Sequence, residues 1–338
     1  MSPTPIYIGA DVAKDSIELH SNQIKLPSSI SNDKTGFRRL VCLLKKAAQS
    51  TSSLHLVCEA TGPYHKPLCA ALWLANIPLS VVNPRQVRDF ARAANRLAKT
   101  DKLDAQILAL YGERMEPMPT EAASATQVKL EALAVRRRQL VEVRAEEIKR
   151  QAQTQDRQAK ASIKTHINFL DKQVALFDEA MEQCVMEDKC MAGKVEHFCQ
   201  VEGVGKTTAM MLLAAAPELG TLSKAKISAL AGLAPFDYSS GNMKGIKRIS
   251  GGRMSIRAAL YMAAISAARH NHVLKPVYKR LRANGKTFKQ AITAVMRKLL
   301  IHLNALARSV EANGSPRTPA AASGAGSLRG GTSPSSDQ

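Results

Sequence analysis

Four carboxylates in the first third of the chain have types and positions that can do chemistry together. Asp11 closes the apolar run Ile6-Tyr7-Ile8-Gly9-Ala10, and Glu59 closes Leu54-His55-Leu56-Val57-Cys58. Asp101 and Asp104 follow Thr100 at the start of a helical stretch, three residues apart and so on one side of it. Each acid alone has an ordinary reading. A strand-end Asp caps turns, and acids in a first helical turn complement the helix dipole. Brought together, four carboxylates repel one another unless cations neutralise them. Mg²⁺, a hard ion that prefers oxygen ligands, is the expected occupant. Two such ions about 3.5–4 Å apart suit phosphoryl transfer, activating one oxygen and stabilising the other.

The elements that must position these acids follow from pattern. A continuous apolar run such as 6–11 suits a strand buried on both faces of a mixed α/β sheet. Asp11 then sits at the carboxyl end, where such sheets place ligands. Ser16–His20 alternates Ile17 and Leu19 with polar residues, predicting a hairpin partner. Phe37, Leu40, Val41, Leu44 and Ala48 predict a helix over 35–48. Leu54–Glu59 reads as a second strand, Pro63 as the start of a helix running to about residue 76, and Leu79–Val82 as a third strand. Adjacent strand ends lie about 5 Å apart, close enough for Asp11 and Glu59 to share a metal. Asn83-Pro84 then opens a basic helix over 85–97, with Arg85, Arg88, Arg92 and Arg96 in one stripe. The stripe is either a solvated face or a track for phosphates beside the acids.

The charge balance names the partner class. With 48 Lys+Arg against 28 Asp+Glu, the 338-residue chain carries a net charge of +20, which points to a polyanion, most commonly nucleic acid. Between Tyr238 and Val310 there are fifteen Lys or Arg and no Asp or Glu, so a carboxylate metal site must come from earlier residues. The six cysteines form no Cys-x-x-Cys pair, which argues against zinc and for reduced thiols. No early apolar run is long enough for a signal peptide, and no later one reaches membrane-spanning length. The expectation is a soluble, intracellular protein.

Four segments are expected: an acid-bearing α/β domain over 1–119, a helical arm over 120–192, a basic, mainly α domain over 193–312, and a disordered tail over 313–338. The arm contains neither Gly nor Pro. Ile163, Ile167, Leu170, Val174, Phe177, Met181 and Cys184 repeat at alternating spacings of four and three, a coiled-coil seam. The seam serves either dimerisation or packing within one chain. In the basic domain, Gly203 and Gly205 precede Lys206 and an apolar helix. This reads as a helix-hairpin-helix that grips a nucleic-acid backbone, or as a simple tight turn. It is not a P-loop, because Gln200 stands where that motif needs Gly. Lys247, Arg248, Arg253 and Arg257, in and after a Gly-rich stretch, are expected phosphate contacts. The tail is rich in Ser, Gly, Pro and Ala, without apolar periodicity.

The ordered set Tyr7-Ile8-Gly9-Ala10-Asp11, Cys58-Glu59-Ala60-Thr61-Gly62, Asn83-Pro84 and Thr100-Asp101-Lys102-Leu103-Asp104-Ala105 resembles the DEDD transposases. These are insertion-sequence recombinases related to the Piv invertase, with a RuvC-like, ribonuclease H-type N-terminal domain. The resemblance continues through Val204-Gly205-Lys206-Thr207-Thr208, Ala231-Gly232-Leu233-Ala234-Pro235, Tyr238-Ser239-Ser240-Gly241 and Arg257-Ala258-Ala259-Leu260-Tyr261-Met262. It implies that Asp11, Glu59, Asp101 and Asp104 form the metal-binding tetrad. It also implies that Ser240, in the pattern Tyr-x-Ser-Gly, is a nucleophile that joins DNA as a phosphoserine ester. From the residues alone, Ser240 reads as a turn residue. The resemblance further implies donor and target DNA, an element-encoded non-coding guide RNA, a dimer or tetramer, and a bacterial cytoplasm with action at the nucleoid.

Two other classes compete. A RuvC-like junction resolvase or nuclease would use water as nucleophile and need no serine. A silent nucleic-acid-binding protein would need no intact acid set.

Overall fold

The computed structural model describes residues 5–50, 53–60, 62–96, 98, 100–236 and 248–314. It is mostly helical, with a central mixed sheet, and divides into two compact units, Met1–Ala123 and Ser124–Gln338. No helix among the described residues is long and apolar enough to cross a membrane.

The first unit is built on a five-stranded sheet of order β3-β2-β1-β4-β5. Its strands are β1 (Ile6–Val12), β2 (Ser16–His20), β3 (Ser29–Ser31), β4 (Leu54–Glu59) and β5 (Leu79–Val82). β2 runs antiparallel to both β1 and β3, whereas β4 is parallel to β1 and to β5. The period of two along each strand sends alternate residues to opposite layers. Ile6, Ile8 and Ala10, with Leu54, Leu56 and Cys58, pack against α1 (Lys34–Ser50) and α2 (His65–Leu74). Tyr7, Val57 and Val82 face the other way, against α3 (Pro84–Ala93) and α4 (Asp101–Met115). Helices on both faces explain why β1 reads as one apolar run. The short strand β3 is a feature that the sequence reading does not anticipate.

The segment after α4 closes the edge of the sheet. Thr120 donates its N–H to the Leu79 carbonyl at 2.8 Å, and its hydroxyl accepts from Val81 N–H at 2.9 Å. The buried Ser80 hydroxyl lies 2.6 Å from the Met118 carbonyl and 2.8 Å from His55 Nε2. These bonds occupy edge groups that would otherwise be open to another strand.

In the second unit α5 (Ala125–Gln153) and α6 (Arg157–Met186) form a helical hairpin. The break between them is capped by Asp156, whose side chain accepts from Ala159 N–H at 2.7 Å. The seam residues Ile167, Leu170, Met181 and Cys184 are buried. Arg137 clamps Asp178 across the pair with bonds of 2.7 and 3.0 Å, and Arg144 pairs with Asp171. The heptad pattern is thus satisfied by α5 of the same chain. At its root, Leu130, Ala134, Met181 and Cys184 join the core of the remaining helices, around Phe198, Leu212, Leu260 and Leu299. Those helices are α7 (Lys189–Cys199), α8 (Lys206–Ala215), α9 (Lys224–Leu230), α10 (Met254–His270), α11 (Leu274–Ala283) and α12 (Phe288–Gly314). A short antiparallel pair, β6 (Pro235–Phe236) and β7 (Arg248–Ile249), lies between α9 and α10. Helix α12 continues to Gly314, two residues into the segment read as the start of the tail.

Candidate active site

Sheet register brings the first two acids together. The last paired positions of β1 and β4 are Ala10 and Cys58, so Asp11 and Glu59 each stand one residue beyond a matched pair. In-register residues on neighbouring strands share a face. Asp11 shares the face of Tyr7 and Gly9, and Glu59 that of Val57, which is the α3/α4 side. Asp11 lies within β1 rather than at its last position, opposite Glu18 of β2. Both acids are half-buried.

Helix α4 carries the other two in its first turn. It crosses β1 unusually closely, because a Cβ on Gly9 would overlap the Ala105 carbonyl oxygen and stand 2.5 Å from Ala109 N. One turn further on, a Cβ on Gly112 would lie 2.6 Å from the Tyr7 ring. Residues 105–109 therefore sit over Gly9 and residue 112 over Tyr7, so α4 runs antiparallel to β1. Two strand residues from Gly9 to Asp11 advance about 6.6 Å, or about four helical residues at 1.5 Å each. That step leads from Ala105 back to the first turn of α4, where Asp101 and Asp104 lie. Thr100 fixes this turn, its hydroxyl accepting from Leu103 N–H at 3.3 Å. Gly9 is the positioning residue that the sequence reading overlooks. Its signal is a glycine inside a strand, which marks a close backbone approach.

Glu59 and Asp104 line one cavity of about 330 Å³, together with Arg85, Arg88, Pro84, Val87, Ala91, Ile107 and Leu108. Two cations of the basic stripe thus border the same space as two of the acids. Pro84 stands at the first position of α3, behind Asn83, whose side chain accepts from Arg85 N–H at 2.9 Å. Asp89 pairs on the surface with both Arg85, at 3.8 Å, and Arg92, at 3.5 Å, and Arg96 lines a separate cavity of about 180 Å³ with His20, Asn22 and Gln106. Asp101 is exposed and, with Asp11, does not line the larger cavity. Among the described residues no three His, Cys, Asp or Glu side chains stand close enough together to hold a metal ion. The acids share one end of one sheet face, but not a closed ligand shell.

The expected sites of the second unit fare differently. Gly203 has φ +100°, and a Cβ there would lie 2.6 Å from Ala267 N of α10. Gly205 caps α8 without a side-chain bond, and a Cβ there would meet nothing within 4 Å. Lys206 pairs with Glu182 at 3.0 Å on the surface. Arg248 is exposed on β7 opposite Phe236. Arg253 makes two bonds to Glu218, at 2.6 and 2.7 Å, and one to the Ala215 carbonyl at 3.2 Å. Arg257 donates to the carbonyls of Ala231 at 2.8 Å and Gly251 at 2.6 Å. Lys247 and Ser240 lie outside the described residues.

An acid-ended mixed sheet followed by a strongly basic helical unit is the frame of an enzyme acting on nucleic acid, and comparison with known proteins defines which. Residues 8–156 match a family described as Transposase, of the DEDD IS110 type, and residues 195–279 match the Transposase IS116/IS110/IS902 family. The pilin gene-inverting proteins of Moraxella bovis and Moraxella lacunata are each 30% identical over 305 residues, covering 87% of this chain and 93% of the relative. The chain belongs to the IS110 family of insertion-sequence transposases, and it is a DNA recombinase.

Proposed function

We propose that this transposase cuts and rejoins DNA at the acid-bearing end of its N-terminal sheet, through a phosphoserine ester on Ser240. What supports the first half is that Asp11 and Glu59 lie near the ends of neighbouring strands on one face and that Asp104 lines the same cavity as Glu59. We further read this unit as RuvC-like, which its mixed sheet with helices on both faces supports.

An all-carboxylate donor set suits a hard divalent ion, so Asp11, Glu59, Asp101 and Asp104 would hold Mg²⁺, expected as two ions. When bound, such ions stabilise negative charge on the reacting phosphate. Arg85 and Arg88, bordering the cavity of Glu59 and Asp104, would draw the DNA backbone toward the acids. In the cleavage step the Ser240 oxygen bonds to phosphorus, its proton passes to a base, and the deoxyribose oxygen leaves. One phosphodiester is exchanged for another, so rejoining needs no external energy source. The open N-terminus of α8 behind Gly205, with Lys206, would hold a phosphate without reading sequence. A guide RNA is proposed on the family resemblance and on the net charge of +20.

We also propose that two or more copies assemble, the acids of one protomer acting with Ser240 of another. Mixing Asp11→Asn with Ser240→Ala protein should then restore activity that neither has alone. A mixture that forms hetero-oligomers but stays inactive rules out sharing. For the chemistry itself, the test is trapping a covalent protein–DNA adduct and mapping it by mass spectrometry. Attachment at Ser240, lost in Ser240→Ala and kept in Ser239→Ala, is the expected result. Cleavage without any adduct would instead indicate water as nucleophile.

A further inference from the structure

Past their last matched pair, Ala10 and Cys58, the two acid-bearing strands part. β1 continues against β2, pairing Asp11 with Glu18 and Val12 with Ile17, while β4 continues against β5, pairing Glu59 with Val82. The chain thus leaves β1 toward one side of the sheet and β4 toward the other, the arrangement that opens a ligand-binding crevice in α/β sheets. Beyond the ladder, the spacing of Asp11 and Glu59 depends on what joins the two diverging segments. We propose that Asn32 is a positioning residue that joins them and so sets the spacing on which cation binding depends; this inference rests on the reading of the acids as a cation site.

The side-chain amide of Asn32, between β3 and α1, donates to Ala13 O at 2.8 Å and to Lys14 O at 3.4 Å, in the turn that follows Asp11 and Val12. It also donates to Tyr64 O at 3.3 Å, immediately before α2. Helix α2 carries that tie to the second acid. Its Leu68, Cys69 and Leu72 share a core with Leu56 and Cys58, and the Cys69 thiol hydrogen-bonds that of Cys58, the residue before Glu59. One amide therefore joins the end of one acid-bearing strand to the helix packed on the other. Three carbonyls face its nitrogen, which only an NH₂ group can satisfy, and its oxygen is buried with no partner among the described residues. The side chain is thus engaged through its donors alone. Its mount is firm. Asn32 N–H donates to Asp15 O at 3.0 Å, and Asp33 accepts from Ser31 Oγ at 2.9 Å and from Gly36 N–H at 2.8 Å, fixing the residues on either side. A Cβ on Gly36 would overlap the Ser31 carbonyl oxygen, so the first turn of α1 presses directly on this segment.

The test compares the full-length protein with Asn32→Ala and Asn32→Asp. Half-saturation by Mg²⁺ is read twice, from the rise in thermal midpoint without DNA and from the rate of strand cleavage. Outer partners of a metal site are worth about 10–100-fold in affinity, so Asn32→Ala should need about tenfold to 100-fold more Mg²⁺ in both readings. Cleavage should recover at high Mg²⁺, and the Kd for DNA measured without Mg²⁺ should stay as in the parent. Asn32→Asp keeps the shape but turns an acceptor toward the three carbonyls, so it should lose at least as much, although its charge alone would attract a cation. Tighter Mg²⁺ binding by Asn32→Asp would show that charge, not position, governs the site, and would overturn the proposal. Leu44→Val, in the core beneath α1, should lower the thermal midpoint and leave half-saturation at the parental value. An equal loss of Mg²⁺ affinity there would reduce Asn32 to a stability residue and overturn the proposal too. If Asn32→Ala fails to fold, Asn32→Ser, with one donor left, should show a smaller loss, and a parental half-saturation overturns the idea. Asp11→Asn runs alongside. A parent that does not respond to Mg²⁺, or an Asp11→Asn protein that responds as fully, refutes the cation site itself. A response lost in Asp11→Asn but parental in Asn32→Ala refutes only the role of Asn32.

Discussion

The two units use arginine in opposite ways. In the N-terminal unit Arg85 and Arg88 border a cavity that also holds Glu59 and Asp104. In the C-terminal unit Arg253 bonds the Glu218 carboxylate and the Ala215 carbonyl, and Arg257 bonds the carbonyls of Ala231 and Gly251. A basic sequence therefore does not mark a binding surface by count alone. Arg85 also pairs with Asp89 at 3.8 Å, so the contrast is one of surroundings. Cations stand beside an acid-lined cleft in one unit; in the other they bond a carboxylate and carbonyls of the neighbouring helices.

The sharpest way to break this contrast is to neutralise the acids. Asp11→Asn, Glu59→Gln, Asp101→Asn and Asp104→Asn should each reduce strand cleavage by more than about 100-fold, since even outer partners of a metal site cost about 10–100-fold. Circular dichroism should be unchanged. Two variants with near-normal cleavage would detach the site from these residues.

Next in size are the glycines that set backbone approach. Gly9→Ala drives a methyl into the Ala105 carbonyl, and Gly203→Ala places one 2.6 Å from Ala267 N at a positive φ. Overpacking costs about 1–3 kcal/mol, so both should lower the midpoint of urea unfolding. Gly205→Ala meets open space at φ −93°, so stability should stay within about 1 kcal/mol while DNA affinity falls. Equal destabilisation by Gly203→Ala and Gly205→Ala would remove the distinction between packing and binding glycine.

Salt dependence distinguishes the arginines directly. Arg85→Ala and Arg88→Ala should each reduce the log–log slope of DNA binding by about 0.9. Arg253→Ala should leave the slope alone and lower stability by up to about 1 kcal/mol, its ion pair being partly exposed. A reversed pattern would invert the assignment of roles.

The smallest effect is a pH dependence from His55. Burial holds its pKa below the ordinary 6.5, so the folded chain keeps the ring neutral. Above pH 6.5 neither state is protonated and no penalty arises. As pH falls below 6.5 the unfolded chain takes up a proton that the folded one refuses, and stability drops by at most about 1.4 kcal/mol per pH unit. The fall ends at the folded pKa. His55→Asn should remove this component from the stability–pH profile, and an unchanged profile would refute it.

Periodicity alone carried the sheet a long way. Leu79–Val82 and Leu54–Glu59 form strands with the expected bounds, and Thr100 caps α4 as its side-chain chemistry requires. The strand and helix positions of the acids were readable because strand ends and helix starts are local features. The role of Gly9 was not, because a close approach involves a helix almost a hundred residues away. The heptad seam named its own pattern but not its partner, since α5 and a second copy offer an apolar stripe of the same kind. The engagement of Arg253 and Arg257 was hidden for a similar reason: Glu218 and the Ala231 carbonyl are distant in sequence.

The central claim, that the four acids form one cation site, is tested most directly by thermal unfolding with and without Mg²⁺. A ligand at 100 times its Kd stabilises the folded state by about 2.7 kcal/mol, so the parent protein should unfold at a clearly higher temperature with Mg²⁺ present. Each of the four neutralised variants should match or exceed the parent without Mg²⁺, because one like charge is gone, and should gain little when the ion is added. Variants that lose stability without the ion, yet respond to Mg²⁺ as fully as the parent, would contradict the account.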